Sequence, residues 1–310
     1  MELRHLRSLV ALARESNFTR AARRLRIAQP ALSQQIRALE RELGVLLVSR
    51  TNRTSGLTEA GARLVSRAEA ILMEVQDATQ EMRAHAGEEG GTVRIGCALQ
   101  TLVEGRLPPL LASFRQRHPR TRIVLREVHT RQVFELLHRG EVDLGLIHLG
   151  RVGGTLAGMR AASQTISLAR LQTEPIVVIV SPAHPLAERT AVELDDLREE
   201  TFVSFRAGAT VREMLLLGAR RAGFSPKIGF STPNMGTVRA FVSAGLGVAL
   251  VPRSALDVPS PPLTAIPLTS PRMERVITLA RNTARYETPG VKEIRRLLTE
   301  RLRSRPSSAG

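Results

Sequence analysis

The sequence predicts an α/β protein with a helical head, and three observations carry that expectation. Residues 1–60 place apolar side chains at three- and four-residue spacings in short bursts separated by polar turns, which is the pattern of several short helices. Residues 60–86 carry one unbroken heptad seam. From residue 91 onward, apolar runs of strand length alternate with helical patterns, the order that builds parallel sheets. At 310 residues the chain exceeds one domain of ordinary size, so more than one core is expected. A hydrophobic content of 43% with 24% charged residues excludes global disorder and collagen-like repeats. The single cysteine, Cys97, forbids an intramolecular disulfide and any multi-cysteine metal knuckle. The most apolar runs, 176–180 and 246–252, fall far short of the roughly 20 residues that a membrane helix needs. No secretory signal is visible around Glu2 and the arginines that follow it, so a cytoplasmic protein is expected.

In the head, Leu3, Leu6, Leu9, Val10 and Ala13 mark an amphipathic helix that ends near Ser16 and Asn17. Thr19 is the expected N-cap of a second short helix, in which Ala22 and Leu25 face inward. A tight connection over residues 26–28 leads to Pro30, a first-turn residue, which opens a third helix through about Glu42 with Ile36, Leu39 and Leu43 toward the core. The other face of that helix offers Gln29, Ser33, Gln34 and Arg37. Two short helices joined by a brief turn, the second presenting small amide and hydroxyl side chains, match a helix-turn-helix that reads the major groove. Glutamine pairs bidentately with adenine, serine bonds to base or phosphate, and arginine bonds to guanine or phosphate. Residues 50–56 are polar and turn-forming, as a wing hairpin would be, with Arg50 and Arg53 as phosphate contacts. Thr19, Arg20 and Pro30 complete the expected DNA-facing set.

The run Phe18-Thr19-Arg20-Ala21-Ala22, with Ala28-Gln29-Pro30-Ala31-Leu32-Ser33-Gln34-Gln35-Ile36, Leu43-Gly44 and Leu57-Thr58-Glu59-Ala60-Gly61, resembles the N-terminal winged helix-turn-helix of LysR-type transcriptional regulators. The likeness runs almost without gaps over residues 1–61. It implies a homotetrameric DNA-binding regulator that answers to a small co-inducer. One departure is Val48, where the family commonly carries Phe; valine keeps the position apolar but smaller.

Residues 60–86 predict a single long helix. Leu64, Ala68, Ile71, Val75, Ala78 and Met82 form an apolar stripe spaced by fours and threes in an otherwise charged cylinder, which calls for a partner helix and so for a dimer. A dimer would hold two recognition helices on a pseudo-palindromic site. Residues 87–91 then read as a hinge.

The remainder divides into strands 92–97, 123–128 and 142–147 alternating with helices 107–118 and 133–139, followed by strands 176–180, 201–205, 227–231 and 248–251 with helices 211–222 and 235–244. A strand over 276–280 and a helix over 290–303 return to the first lobe, and residues 304–310 form a tail. The expected division is therefore 1–59 DNA-binding head, 60–90 linker helix and hinge, and 91–310 effector domain. Within the last, lobe I takes 91–170 and 270–303 and lobe II takes 171–269. Arg94-Ile95-Gly96, residues 140–146 and residues 244–252 carry a looser likeness to the two-lobed, periplasmic-binding-protein-like effector domain of the same family. In such sheets a ligand lies beyond the carboxyl ends of the strands. That rule singles out Gln100, Thr101, His129, Thr130, Ser204, Arg206 and Thr232. Their hydroxyls, amides and cations near helix N-termini suit a carboxylate or another small anion.

Cys97 at a strand end reads as a small buried hydrophobe. No HExxH, GxSxG or phosphate-loop spacing occurs, so neither an enzyme, a metal nor a cofactor is expected. The net charge of +16 favours polyanions, yet residues 1–60 hold only 11 Arg against 5 acids. The expected partners are double-stranded DNA, a small effector, further copies of the chain and RNA polymerase, with no membrane. The alternative from another class is a solute-binding or small-molecule enzyme module with an accessory helical head.

Overall fold

A computed structural model describes residues 1–51, 54–86, 91–99, 105–157 and 165–303, with backbone alone at 50, 51, 54, 55 and 84. The chain forms two compact units, residues 1–87 and 88–310. In the first, α1 (Leu3–Glu15) buries Leu6, Leu9 and Leu12, as its periodicity requires. α2 (Phe18–Leu25) starts from Asn17, whose side-chain oxygen accepts from the Arg20 amide at 3.0 Å. Asn17, not Thr19, is therefore the N-cap; an earlier start lets the cap residue keep an extended backbone while Thr19 stays exposed in the first turn. Arg26 closes α2 in the left-handed region (φ 57°), and α3 (Gln29–Leu43) follows with Pro30 in its first turn.

Leu32, Ile36 and Leu39 are fully buried on α3, whereas Leu43 is 40% exposed, contrary to expectation. It is the last residue before the left-handed Gly44, where the helix has run past the core. The hairpin β1 (Val48–Thr51) and β2 (Thr54–Leu57) forms the wing. Its root is fixed by Glu40, whose buried carboxylate accepts from the Leu47 and Val48 amides at 2.9 and 3.1 Å. Val48 itself is buried, so the smaller side chain still fills the head's core. Thr58 donates to the Leu46 carbonyl and accepts from the Gly61 amide, which starts α4 (Glu59–His85).

α4 divides in two. Its first half belongs to the head: Leu64 packs on the head core, and Ala68 is fully buried with Leu6, Val10 and Leu72. The expected seam is thus corrected at these two positions, because α1 already covers them. Its second half leaves Ile71, Ala78 and Met82 exposed and Val75 half-buried.

In the second unit, β3 (Thr92–Cys97) pairs in parallel with β4 (Arg122–Glu127) and β5 (Leu144–Val152), which confirms the expected strand–helix–strand order. α5 (Leu107–Arg117) and α9 (Pro289–Arg303) share a core with one face of this sheet, and α6 (Thr130–His138) covers the other. The last helix packs in one core with β3, β5 and α5. A short β6 (Thr155–Ala157) turns back on β5 through Gly153 and Gly154 at positive φ.

The connection between lobes differs from expectation. One fifteen-residue strand, β7 (Ile166–Val180), pairs with β12 (Met273–Asn282) as far as Pro175, and with β10 (Ala249–Pro252) and β11 (Thr264–Pro267) from Ile176 onward. The strand expected over 176–180 begins ten residues earlier, and the lobe boundary expected between 170 and 171 falls inside it. Proline lacks a ladder donor, and it falls where β7 exchanges one partner for the next. Lobe II adds the parallel pair β8 (Thr201–Phe205) and β9 (Lys227–Thr232) with α7 (Thr210–Arg221) and α8 (Met235–Ser243) around a single apolar core. Gly245, at φ 78° and with its amide donating to the Val242 carbonyl, ends α8 in the left-handed conformation that glycine favours.

Candidate functional site

Two surfaces collect the residues singled out from sequence. On the head, Gln29, Pro30, Gln34 and Arg37 are exposed along α3, and Ser33 is half-buried with its hydroxyl accepting from Gln29 at 3.1 Å. Thr19 and Arg20 are exposed at the start of α2, where the Arg20 guanidinium bonds back to the Glu15 carbonyl at 2.5 Å. One polar face of two successive helices is therefore assembled, held from behind by Leu32, Ile36 and Leu39. Arg50 lies on β1 with its backbone alone described, and Arg53 lies outside the described residues.

The second surface is a cavity of about 320 Å³ between the lobes of the second unit. Lobe I contributes Cys97, Ala98, Glu127, Val128, His129, Thr130, Gln132 and His148, and lobe II contributes residues 205–211, Pro233 and Met235. Arg275 enters from β12, which crosses between the lobes. α6 and α7 both begin at this cavity, one from each lobe, so the free amides of two helix N-termini flank it. His129 caps α6 and donates its amide to Gln132 at 3.2 Å.

The Thr130 hydroxyl oxygen and the His148 Nδ1 are buried without a hydrogen-bond partner. Burial, then the nearby Arg275 charge, holds the His148 imidazole down at about 3, so the ring is neutral at physiological pH. Burial pushes the Cys97 thiol up to about 12, which keeps it protonated. A neutral imidazole, a neutral thiol and an open hydroxyl beside two helix N-termini can hold an anion by hydrogen bonds, with Arg206 and Arg275 as its cations.

Of the residues expected here, His129, Thr130 and Arg206 meet at the cavity. Gln100 and Thr101 lie outside the described residues. Ser204 and Thr232 are not among the lining residues: Ser204 is buried one position short of the end of β8, and the Thr232 hydroxyl accepts from the Asn234 amide in the turn before α8. His148 and Arg275 escaped sequence reasoning. A strand expected to end at Ile147 makes His148 the next residue, so the same end-of-strand rule reached it without being applied there. Arg275 carries no such signal, because its place depends on how β12 crosses between the lobes. Among the described residues no cluster of His, Cys, Asp or Glu is placed to hold a metal, and no helix is long and apolar enough to cross a membrane.

Comparison with known proteins extends these observations. Residues 3–62 match the family described as bacterial regulatory helix-turn-helix protein, lysR family, and residues 86–303 match the LysR substrate binding domain. The chain is 37% identical over 257 residues to the uncharacterized HTH-type transcriptional regulator YnfL of Escherichia coli K12, covering 82% of this chain and 83% of that one. It is 33% identical over 257 residues to the HTH-type transcriptional regulator AlsR of Bacillus subtilis 168, covering 82% of each. A full-length OxyR variant from Pseudomonas aeruginosa has the same fold, with a TM-score of 0.70 over 98% of this chain and 95% of that one at 24% identity. The solute-binding or enzyme alternative is not favoured, since the regulatory match spans the head as well as the lobes. The chain belongs to the LysR family, DNA-binding transcriptional regulators, not enzymes, that carry a substrate-binding effector domain.

Proposed function

We propose that this regulator reads a pseudo-palindromic promoter site through Gln29, Ser33, Gln34 and Arg37, with Thr19, Arg20, Pro30, Arg50 and Arg53 positioning the head, and that a small anion in the interlobe cavity modulates the binding. The work divides as residues 1–59 for DNA, 60–90 for linking and 91–310 for the effector. The outer seam of α4, exposed at Ile71, Ala78 and Met82 and half-buried at Val75, joins two copies, and two such dimers form a homotetramer in the cytoplasm that acts with RNA polymerase.

The observation that carries the effector reading is the buried, unpartnered pair of Thr130 Oγ1 and His148 Nδ1 at a cavity flanked by two helix N-termini. A polar atom left unpaired in the interior costs about 1–3 kcal/mol, which a bound ligand would recover. Its volume is ample for a single-ring carboxylate. His129 and Arg206 supply further contacts, and Gln100 and Thr101, which follow β3 in the sequence, are proposed as contacts as well, whereas Ser204 and Thr232 do not line the cavity and are dropped from the set.

The test is calorimetric titration of the full chain with benzoate, a ring-sized carboxylate, and with inorganic phosphate. Thr130→Val and Arg206→Ala are each expected to weaken binding about tenfold, or roughly 1.4 kcal/mol, while leaving DNA affinity in the absence of ligand unchanged. Equal probe affinity in wild type and both variants would move the effector elsewhere.

A further inference from the structure

Glu174 and Arg275 form a buried ion pair with side chains 3% and 5% exposed, and they are cross-strand partners on β7 and β12 at the passage from lobe I to lobe II. Arg275 Nε donates to Glu174 Oε1 at 2.6 Å, and Nη2 also meets that oxygen. Both partners hold Ser254, in the 3-10 turn Arg253–Leu256 that follows β10 in lobe II. Its amide donates to Glu174 Oε2 at 3.0 Å, and its hydroxyl accepts from Arg275 Nη2 at 3.2 Å. Arg275 is at the same time a wall of the interlobe cavity, and its charge is felt at His148 and Cys97 beside it.

A pair in this position has no obvious use as a fastener, because buried ion pairs cost desolvation that apolar side chains of similar volume avoid. What an apolar pair lacks is a response to charge. We propose that Arg275 is shared between Glu174 and an anionic ligand in the cavity, so that the ligand competes with Glu174 and the pair transmits occupancy to the crossing strands and to Ser254. The inference rests on the reading that the cavity takes an anion. A carboxylate approaching Arg275 draws the guanidinium away from Glu174, and the hold of Glu174 and Arg275 on Ser254 weakens with it. The tie between the crossing strands and lobe II is then looser in the ligand-bound protein than in the free one. Glu174 and Arg275 act as positioning residues for the conformational response, with Arg275 also a ligand contact.

The competition makes an unusual demand: two substitutions that break the same ion pair must act on ligand binding with opposite signs. Glu174→Gln removes the competitor and is expected to tighten benzoate binding at least tenfold by calorimetry. Arg275→Met removes the cation and is expected to weaken it at least tenfold. Benzoate added to wild type should also speed hydrogen exchange at the Ser254 amide. Because a lone buried charge can unfold a variant, thermal melts accompany each titration, and the charge-neutral double variant Glu174→Gln/Arg275→Met is the control that keeps its fold. It is expected to bind no benzoate.

If Thr130→Val weakens benzoate binding while Glu174→Gln leaves it unchanged or weaker, the pair is structural and the proposal falls, although the cavity remains the effector site. The proposal falls equally if the double variant binds as wild type does. If neither wild type nor a folded Glu174→Gln protein binds benzoate or phosphate at millimolar concentration, the anion reading itself falls, and this inference with it.

Discussion

Single residues at both surfaces are held by contacts whose removal has a calculable sign. At Gly61 a Cβ would lie 2.0 Å from the Leu47 carbonyl oxygen, which itself accepts the Thr58 amide at the root of the wing. Alanine in a helix is ordinarily favoured over glycine by about 1 kcal/mol, but here the clash is with backbone, which cannot rotate aside. Gly61→Ala is therefore expected to destabilise the head by about 1–3 kcal/mol, read as a lower melting temperature and weaker DNA binding. His148 supplies a pH dependence. Its folded-state pKa of about 3 lies below the ordinary 6.5, so the unfolded chain binds the proton more readily between those values, and stability falls as pH drops through that window. The loss on going from about pH 7 to about pH 5 should approach 2 kcal/mol. Chemical denaturation of wild type and His148→Gln at the two pH values checks it: the glutamine variant should show a smaller acid loss. His148 was within reach of the sequence because it follows an apolar run. Arg275 was not, since nothing within residues 270–282 says which cavity a crossing strand will meet.

Elements were legible where a period ran unopposed and obscured where one segment answered to two neighbours. α1, α3 and β3 follow their apolar spacing closely. β7 does not, because residues 166–175 mix exposed, half-buried and buried positions without a period and end at Pro175, which reads as a break, while 176–180 is a solid apolar run. The long strand is continuous because it belongs to two partners in succession. α4 misleads in the same way: one heptad stripe serves α1 along its first half and is left uncovered along its second. That division yields a pair of contrasting outcomes. Ala68→Asp places a charge in the fully buried contact with Leu6 and Val10, and should unfold the head at lower temperature. Ile71→Asp, on a 38% exposed position, should leave the melt of the head within about 0.5 kcal/mol of wild type but lower the assembly state in sedimentation velocity and weaken DNA binding with it. Unchanged assembly in Ile71→Asp would mean that the outer seam does not join copies.

For the molecule as a whole the question is where DNA affinity and DNA choice arise, since the net charge of +16 lies mostly outside the head. A protein that bound DNA through charge alone would take any duplex, with affinity falling steeply as salt rises. The proposed DNA-reading face of α2 and α3 predicts a different division, in which side chains at Gln29 and Ser33 would reach base edges and arginines would meet phosphate. Binding should therefore favour the DNA upstream of the protein's own gene over a shuffled duplex by tenfold or more, about 1.4 kcal/mol, at near-physiological salt. Gln29→Ala or Ser33→Ala should shrink that ratio by lowering affinity for the specific duplex alone, with the salt slope unchanged, because no phosphate contact is lost. Arg53→Ala should lower affinity for both duplexes alike and reduce the salt slope by about 1. Fluorescence anisotropy over a salt series separates these outcomes in one experiment. A uniform loss in Gln29→Ala and Ser33→Ala would assign α3 to the backbone and place base readout elsewhere on the head. Equal affinity of wild type for both duplexes would mean either that the +16 charge binds without choice or that the upstream region is not the site.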